Sequence, residues 1–280
     1  MIRLQSSGRL GNRLFQWAYA HQLASRFNTC VKLTHDSINY DSVDTVSSVP
    51  SCCPSIVTGK SEIVGLVTAF TDKFKFNPNI FGTDVVFSQN NPYLNPVFER
   101  IPLIVRGYFT SSNTIVGYEE HLSNALNDWI SRNVKPDSIS DSFLANHLDY
   151  QVMHVRRGDF LQHKETLGLL SIDYYKQARN LDKPLAIVTD APNELPEFLS
   201  SLHPQIMLHS GNSTIFDSLN LLRNGSSVVL SNSTFSWWGG CLASRRKARV
   251  LLPSPFFKSD ALVGEAFTSE YFQSLSSKFD

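Results

Sequence analysis

The sequence predicts an α/β protein built on parallel, doubly wound sheet. Three observations predict it. The chain opens with a short strand, a glycine loop and a long helix. Its second half alternates strands and helices, the signature of parallel strands joined by crossovers. In the middle of the chain, a buried-looking strand ends abruptly in Arg156-Arg157-Gly158-Asp159.

Taken in order, Ile2 to Gln5 alternates like a strand. Ser6-Ser7-Gly8-Arg9-Leu10-Gly11-Asn12-Arg13 reads as a glycine loop, and Leu14 to Phe27 as a helix with Phe15, Ala18, Tyr19, Leu23 and Phe27 at helical spacing. Strand, glycine loop and helix form an anion-binding arrangement, because first-turn amides and the helix dipole face the ligand. The glycines flank Arg9 and Leu10, so this is not the dinucleotide fingerprint G-x-G-x-x-G. Cys30 to Leu33 reads as a second strand. Residues 34–100 are rich in Ser, Asn and Pro with short apolar pieces, and suit loops with a few short elements. Gly59-Lys60-Ser61 resembles the end of a phosphate loop, but Pro54 stands where that loop needs glycine. Leu103 to Phe109 reads as a strand entering a loop, Ile115 to Asn133 as a helix, and Pro136 to Asn146 as a hinge.

Val152 to Val155 is apolar except for His154, as suits a central strand covered on both faces. Two guanidiniums at its carboxyl end make an anion site, where open α/β sheets bind ligands. Arginine brings a planar fork suited to phosphate. Helices follow over 173–181, 193–202 and 215–223, and strands over 185–188, 227–230 and 250–253. A terminal helix closes the chain. Ser231-Asn232-Ser233-Thr234-Phe235-Ser236-Trp237-Trp238-Gly239-Gly240 reads as strand end, hydroxyl-rich turn and helix start. Ser233, Thr234 and Ser236 are placed to cap that helix and to donate to phosphate. Trp237 and Trp238 suit core or a sugar-facing wall.

The chain has 280 residues, zero formal net charge, 42% hydrophobic residues and 19 Phe. That is enough for well-buried cores, and no nucleic acid is expected as a general partner. Cys30, Cys52, Cys53 and Cys241 form neither a zinc pattern nor a disulfide framework, so reduced thiols in a cytoplasmic protein are expected. The sequons at Asn212, Asn224 and Asn232 carry no meaning in that compartment. No segment has the length of a membrane span, and the first strand leaves no room for a leader; peripheral membrane association is compatible with this.

Three strand ends competent for anions, at 8–12, 154–159 and 231–236, together with Asp190 at another strand end, point to a nucleotide diphosphate. No D-x-D occurs, so arginines and helix amides would have to meet the leaving-group charge without metal.

In order and spacing, Gly8-Arg9-Leu10-Gly11-Asn12-Arg13-Leu14-Phe15-Gln16, His154-Val155-Arg156-Arg157-Gly158-Asp159, Leu167-Gly168-Leu169-Leu170-Ser171-Ile172-Asp173-Tyr174-Tyr175 and Ser231 to Gly239 resemble the motifs of the α-1,2-fucosyltransferases. The Arg-Arg-Gly-Asp piece alone also fits the α-1,6- and protein O-fucosyltransferases. The resemblance implies a GT-B fold: two facing Rossmann-like domains with a cleft between them. Residues 1–140 would form the acceptor domain and 150–265 the GDP-sugar domain, with the terminal helix of 266–280 packing back on the first. It implies a GDP-β-L-fucose donor, inversion at the anomeric carbon, no metal and no other cofactor.

By motif position, Arg156, Asp159 and Arg9 would be the catalytic residues. Arg156 would neutralise the β-phosphate, with Arg9 near the reaction centre. Gly8, Gly11, Asn12, His154, Arg157, Asp190, Asn232, Ser233, Thr234, Phe235 and Ser236 would form the donor site, Arg157 mainly in support and Asp190 at the guanine or ribose. Thr189-Asp190-Ala191 departs from the family, which has two consecutive Asp here.

The reaction implied is transfer of fucose to the 2-hydroxyl of a terminal galactose on a glycan acceptor. The base is open: two cations beside Asp159 make it a poor proton acceptor, and His21 and His35 are the other candidates. Two readings compete, an inverting transferase using another GDP-sugar or linkage and a non-catalytic glycan- or nucleotide-binding homologue. The acceptor site is expected within 34–135.

Overall fold

The structure is a computed structural model that describes residues 2–6, 8–27, 31–35, 56–60, 86–88, 104–135, 138–259, 262 and 267–280. The chain divides into two compact units, Met1–Ala125 and Leu126–Asp280.

The first unit holds a parallel sheet. It comprises β1 (Ile2–Ser6), β2 (Val31–His35), β3 (Ile56–Lys60), β4 (Val86–Ser88) and β5 (Ile104–Arg106), in the order β3-β2-β1-β5-β4. Helix α1 (Leu10–Phe27) follows β1, and its Leu14, Phe15, Trp17 and Ala18 are completely buried. Gly59-Lys60 lies in strand β3 and not in a phosphate loop. The helix expected from Ile115 begins later: Ile115 to Tyr118 form turns, and α2 spans Glu119–Asn133, with two glutamates in its first turn to suit the helix dipole. The boundary between the units falls inside α2. The hinge expected over 136–146 is instead largely a helix, α3 (Ile139–Asn146). Ser138 caps it by accepting from the Asp141 N–H at 3.1 Å, and Phe143 packs edge-on against Tyr150. A serine cap followed by a buried aromatic outweighs the polar composition.

In the second unit the sheet has six strands: β6 (Gln151–Val155), β7 (Leu185–Thr189), β8 (Ile206–Leu208), β9 (Ser227–Val229), β10 (Arg249–Ser254) and β11 (Phe272–Ser276), in the order β11-β10-β9-β6-β7-β8. Every pairing is parallel. Between them run α4 (Ile172–Ala178), α5 (Pro196–Ser201), α6 (Ile215–Asn224) and α7 (Thr234–Ser244). Central β6 is buried along its whole length. Its side chains alternate between faces. Met153 and Val155 join Tyr174, Tyr175, Ile187, Phe198 and Leu199 in one core, and Val152 and His154 point to the other side. There α7 lies so close that a Cβ on Gly239 would stand 2.6 Å from Leu222 Cβ, and one on Gly240 2.9 Å from Leu230 and Val250. The two glycines of the Trp-Trp-Gly-Gly stretch therefore serve close packing.

Residues 266–280 form no terminal helix among the described residues. Phe272-Gln-Ser-Leu-Ser adds strand β11 to the second sheet, alongside β10. Phe272 packs against Trp237, and Leu275, three residues on and so on the opposite face, packs with Phe279 against the Met153–Tyr174 core, while Gln273, Ser274 and Ser276 are exposed. Among the described residues, no helix is long and apolar enough to cross a membrane.

Candidate active site

Strands β6, β7 and β9 are neighbours running the same way, so residues 156–159, 190 and 231–236 meet at one edge of the sheet. The centre of that cluster is Arg156. Its Nη2 lies 2.5 Å from Asp159 Oδ1 and its Nη1 2.7 Å from Asp190 Oδ2. Its guanidinium carbon stands 5.1 Å above the Phe160 ring. A guanidinium with two carboxylates and an aromatic face has little freedom left, which is how a cation is preorganised. Asp190 also accepts the Arg157 N–H on Oδ1 at 3.0 Å. Both of its oxygens are thus engaged inside the strand-end cluster. Gly158 is required there, because a Cβ would collide with Asp190 Oδ2.

Arg157 turns away from this group. It is 8% exposed, and its Nη1 pairs with Asp280 Oδ2 at 3.0 Å. The Asp280 N–H donates to the Leu169 carbonyl at 2.9 Å, so the C-terminal segment is laid against the loop before α4. Asp280 could not have been anticipated: it lies 123 residues from its partner and belongs to no motif. Tyr175, fully buried under the same turn, was equally unsuspected as a neighbour of the arginines. Burial pushes its hydroxyl well above the ordinary tyrosine range, the backbone of Arg156 and the charge of Arg157 opposing.

His154 is buried, with Nδ1 2.6 Å from Ser231 Oγ and its ring 5.6 Å from that of Phe235. Burial, reinforced by the charge of Arg156, pushes its imidazole down to about 3, so it is neutral at physiological pH. Ser233 caps α7, accepting from the Phe235 N–H at 3.3 Å. The fully buried Ser236 hydroxyl reaches the carbonyls of Ser231 and Ser233, each at 3.0 Å. Asn232 directs its amide hydrogens to the carbonyls of Leu167 (2.9 Å) and Gly168 (3.0 Å). These three therefore brace the turn, leaving half-buried Thr234 and Phe235 as the more accessible positions. Trp237 and Trp238 are core residues, 0% and 1% exposed, and the sugar-wall reading is excluded by that burial. Trp237 Nε1 donates to the Phe267 carbonyl at 2.8 Å.

The other expected residues belong to the first unit. Helix α1 begins at Leu10, so Gly11, Asn12 and Arg13 form its first turn and not a loop. Gly8 takes φ +79°, and a Cβ on it would lie 2.9 Å from Asn12 Nδ2 and 3.1 Å from Tyr108 Cε1. Arg9 is exposed, and its carbonyl accepts the Arg13 N–H at 3.1 Å. His21 is buried against Trp17 and His121, and burial pushes it down to about 4. Cys30, Cys52, Cys53 and most of the stretch expected to bind acceptor lie outside the described residues. Cys241 is buried and forms no disulfide among the described residues.

The model of glycosyl transferase family 11 matches residues 101–265. The chain belongs to that family. This family 11 glycosyltransferase is 22% identical over 284 residues to an alpha-1,2-colitosyltransferase of Escherichia coli, covering 91% of this chain and 92% of that protein. Among solved structures, a glycosyl transferase family 9 protein from Veillonella parvula DSM 2008 superposes with TM-score 0.51 at 8% identity, over 98% of this chain and 86% of the other. NodZ alpha-1,6-fucosyltransferase soaked with GDP-fucose gives TM-score 0.48 at 15% identity, over 87% and 93%. The two parallel-sheet units and the family 9 likeness put the family 11 protein in the GT-B fold class.

Proposed function

We propose that this family 11 glycosyltransferase is a galactoside α-1,2-L-fucosyltransferase. It would move fucose from GDP-β-L-fucose to the 2-hydroxyl of a terminal galactose. One observation carries the reading most: Arg156, just past the central strand, is oriented by Asp190 from the end of the neighbouring strand and by Asp159 from its own turn. Asp159 sits at the rim, its side chain 44% exposed, and Asp190 is only 20% exposed. A diphosphate arriving from solvent takes over the contact that Asp159 makes and leaves the one from Asp190. The acceptor oxygen attacks the anomeric carbon in line, the bond to the β-phosphate oxygen breaks, and the configuration inverts. The acceptor proton passes to a base in the site or to solvent. Arg156 and the α7 amides meet the charge that develops on GDP, without a divalent metal. Arg9, Gly8, Gly11 and Asn12 act on the donor from the β1–α1 turn. The site works in the cytoplasm.

A second reading, transfer of another sugar by the same chemistry, is favoured by the relative that is a colitosyltransferase. GDP release in EDTA separates the two. GDP-fucose and GDP-linked colitose are offered in parallel, with lactose, N-acetyllactosamine and galactosyl-β-1,3-N-acetylhexosamine as acceptors. Acceptor-dependent release from GDP-fucose that falls roughly 10²–10³-fold in Arg156→Ala supports the proposal. Preference for the other donor moves it to the second reading, and a strict need for Mg²⁺ or Mn²⁺ removes the mechanism.

A further inference from the structure

The edge of the six-stranded sheet opposite Arg156 has a chemistry of its own. All strands run the same way, so the connections entering β7, β6, β9, β10 and β11 reach that edge side by side. Two of them present leucines with almost no cover: Leu148, before β6, is 90% exposed and Leu181, before β7, is 84% exposed. The connection into β10 together with that strand's first residue reads Arg245-Arg246-Lys247-Ala248-Arg249, four cations in five residues, all four exposed. Tyr271, before β11, is 45% exposed.

Contacts join these pieces into one strip. Lys183 pairs with Asp149 and donates to Ser226 Oγ at 2.9 Å, linking the entries of β7, β6 and β9. Arg246 Nη1 donates to Asn224 Oδ1 at 2.5 Å, linking β9 to β10. Arg249 Nε donates to Gln273 Oε1 at 2.9 Å, and Arg245 lies 4.6 Å over the Tyr271 ring, linking β10 to β11. Five adjacent strands at about 4.8 Å spacing make the strip roughly 20 Å long. The carboxylates on it, Asp149, Asp182 and Glu270, are outnumbered, although the whole chain is neutral.

We propose that this edge docks on the surface of an anionic lipid bilayer. Single exposed leucines are ordinary. Two on adjacent connections, beside a dense cationic run and a half-exposed tyrosine, match the pattern of interfacial binding: apolar side chains enter the boundary between headgroups and acyl chains, and cations and tyrosine remain at headgroup level. A nucleic acid would engage the cations but would leave the leucines in water. Docked this way, the site edge lies about 16 Å farther out, one five-residue strand away, and points to the aqueous side.

Vesicle flotation of the full chain tests it, with phosphatidylcholine vesicles and with vesicles in which about a third of the lipid is phosphatidylglycerol. Expected is salt-sensitive flotation with the anionic vesicles alone. Arg245→Glu/Arg246→Glu/Lys247→Glu weakens it at least about 100-fold, and Leu148→Ser/Leu181→Ser about tenfold or more. Both variants keep the wild-type unfolding midpoint and GDP affinity. No flotation with anionic vesicles overturns the proposal, as does flotation that either variant leaves unchanged. So does tight retention of a duplex DNA fragment, lost in the charge variant and indifferent to the leucines, when vesicles are not bound.

Discussion

Asp190 Oδ2 lies 2.7 Å from Arg156 Nη1, and Asp190 Oδ1 accepts the N–H of Arg157 at 3.0 Å. One carboxylate just past β7 thus fixes both the side chain and the backbone of the turn that follows β6. Asp190→Asn keeps the size and loses the charge. We expect kcat/KM for the donor to fall on the order of 10²-fold, with most of the loss in kcat if the misaligned Arg156 acts chiefly in the transition state. Steady-state GDP release checks this, and an unchanged kcat/KM would remove Asp190 from the positioning role.

Gly158→Ala should be destabilised by about 1–3 kcal/mol, because a Cβ there meets a carboxylate oxygen that is itself held in place. The collision has a single named partner, so the effect should be non-additive. In Gly158→Ala/Asp190→Ala the added penalty of the alanine at 158 should nearly vanish. Urea unfolding of the two single variants and the double variant measures the coupling, and strict additivity would contradict it.

The Arg157–Asp280 pair is half in solvent on the Asp280 side. Its contribution to stability should be small, about 0.5–1 kcal/mol for Asp280→Asn. Its effect on donor KM should be larger in proportion, since the pair holds Arg157 away from Arg156. Asp280→Glu, which keeps the charge, should restore KM. Comparing the KM values of the two variants decides it; equal defects would point to a purely structural contact.

Stability should decline with acid through the two buried histidines. His154 is pushed down to about 3 and His21 to about 4. Both are neutral in the folded chain and take up protons on unfolding once the pH drops below the ordinary histidine value of about 6.5. The unfolded state then binds more protons, so unfolding free energy rises with pH over that window and is progressively lost as pH falls from 6.5 toward 3. Denaturation midpoints at pH 7.5, 6 and 5 should show it. His154→Gln, able to keep the hydrogen bond to Ser231, should have a shallower slope.

Much of this protein follows from local pattern. The strand–turn–helix start, the continuous apolar run of β6, the helix capped by Ser233 and the parallel alternation of the second half depend on near neighbours and side-chain period, which a sequence displays directly. The Arg156–Asp159 pair, three residues apart, belongs with them.

The tertiary structure decided what depends on distant strands becoming neighbours. Asp190 reaches Arg156 because β7 lies beside β6, and Asp280 reaches Arg157 because 272–276 adds a strand beside β10 where a helix was expected. The edge position of those residues, with Phe272 and Leu275 half-buried on opposite faces of the sheet, is visible only once β10 is there to pair with. Burial likewise put both tryptophans in the core and directed the side chains of Ser236 and Asn232 to backbone carbonyls. Whether a hydroxyl meets solvent or a backbone carbonyl is set by what packs above it, and composition carries no record of that.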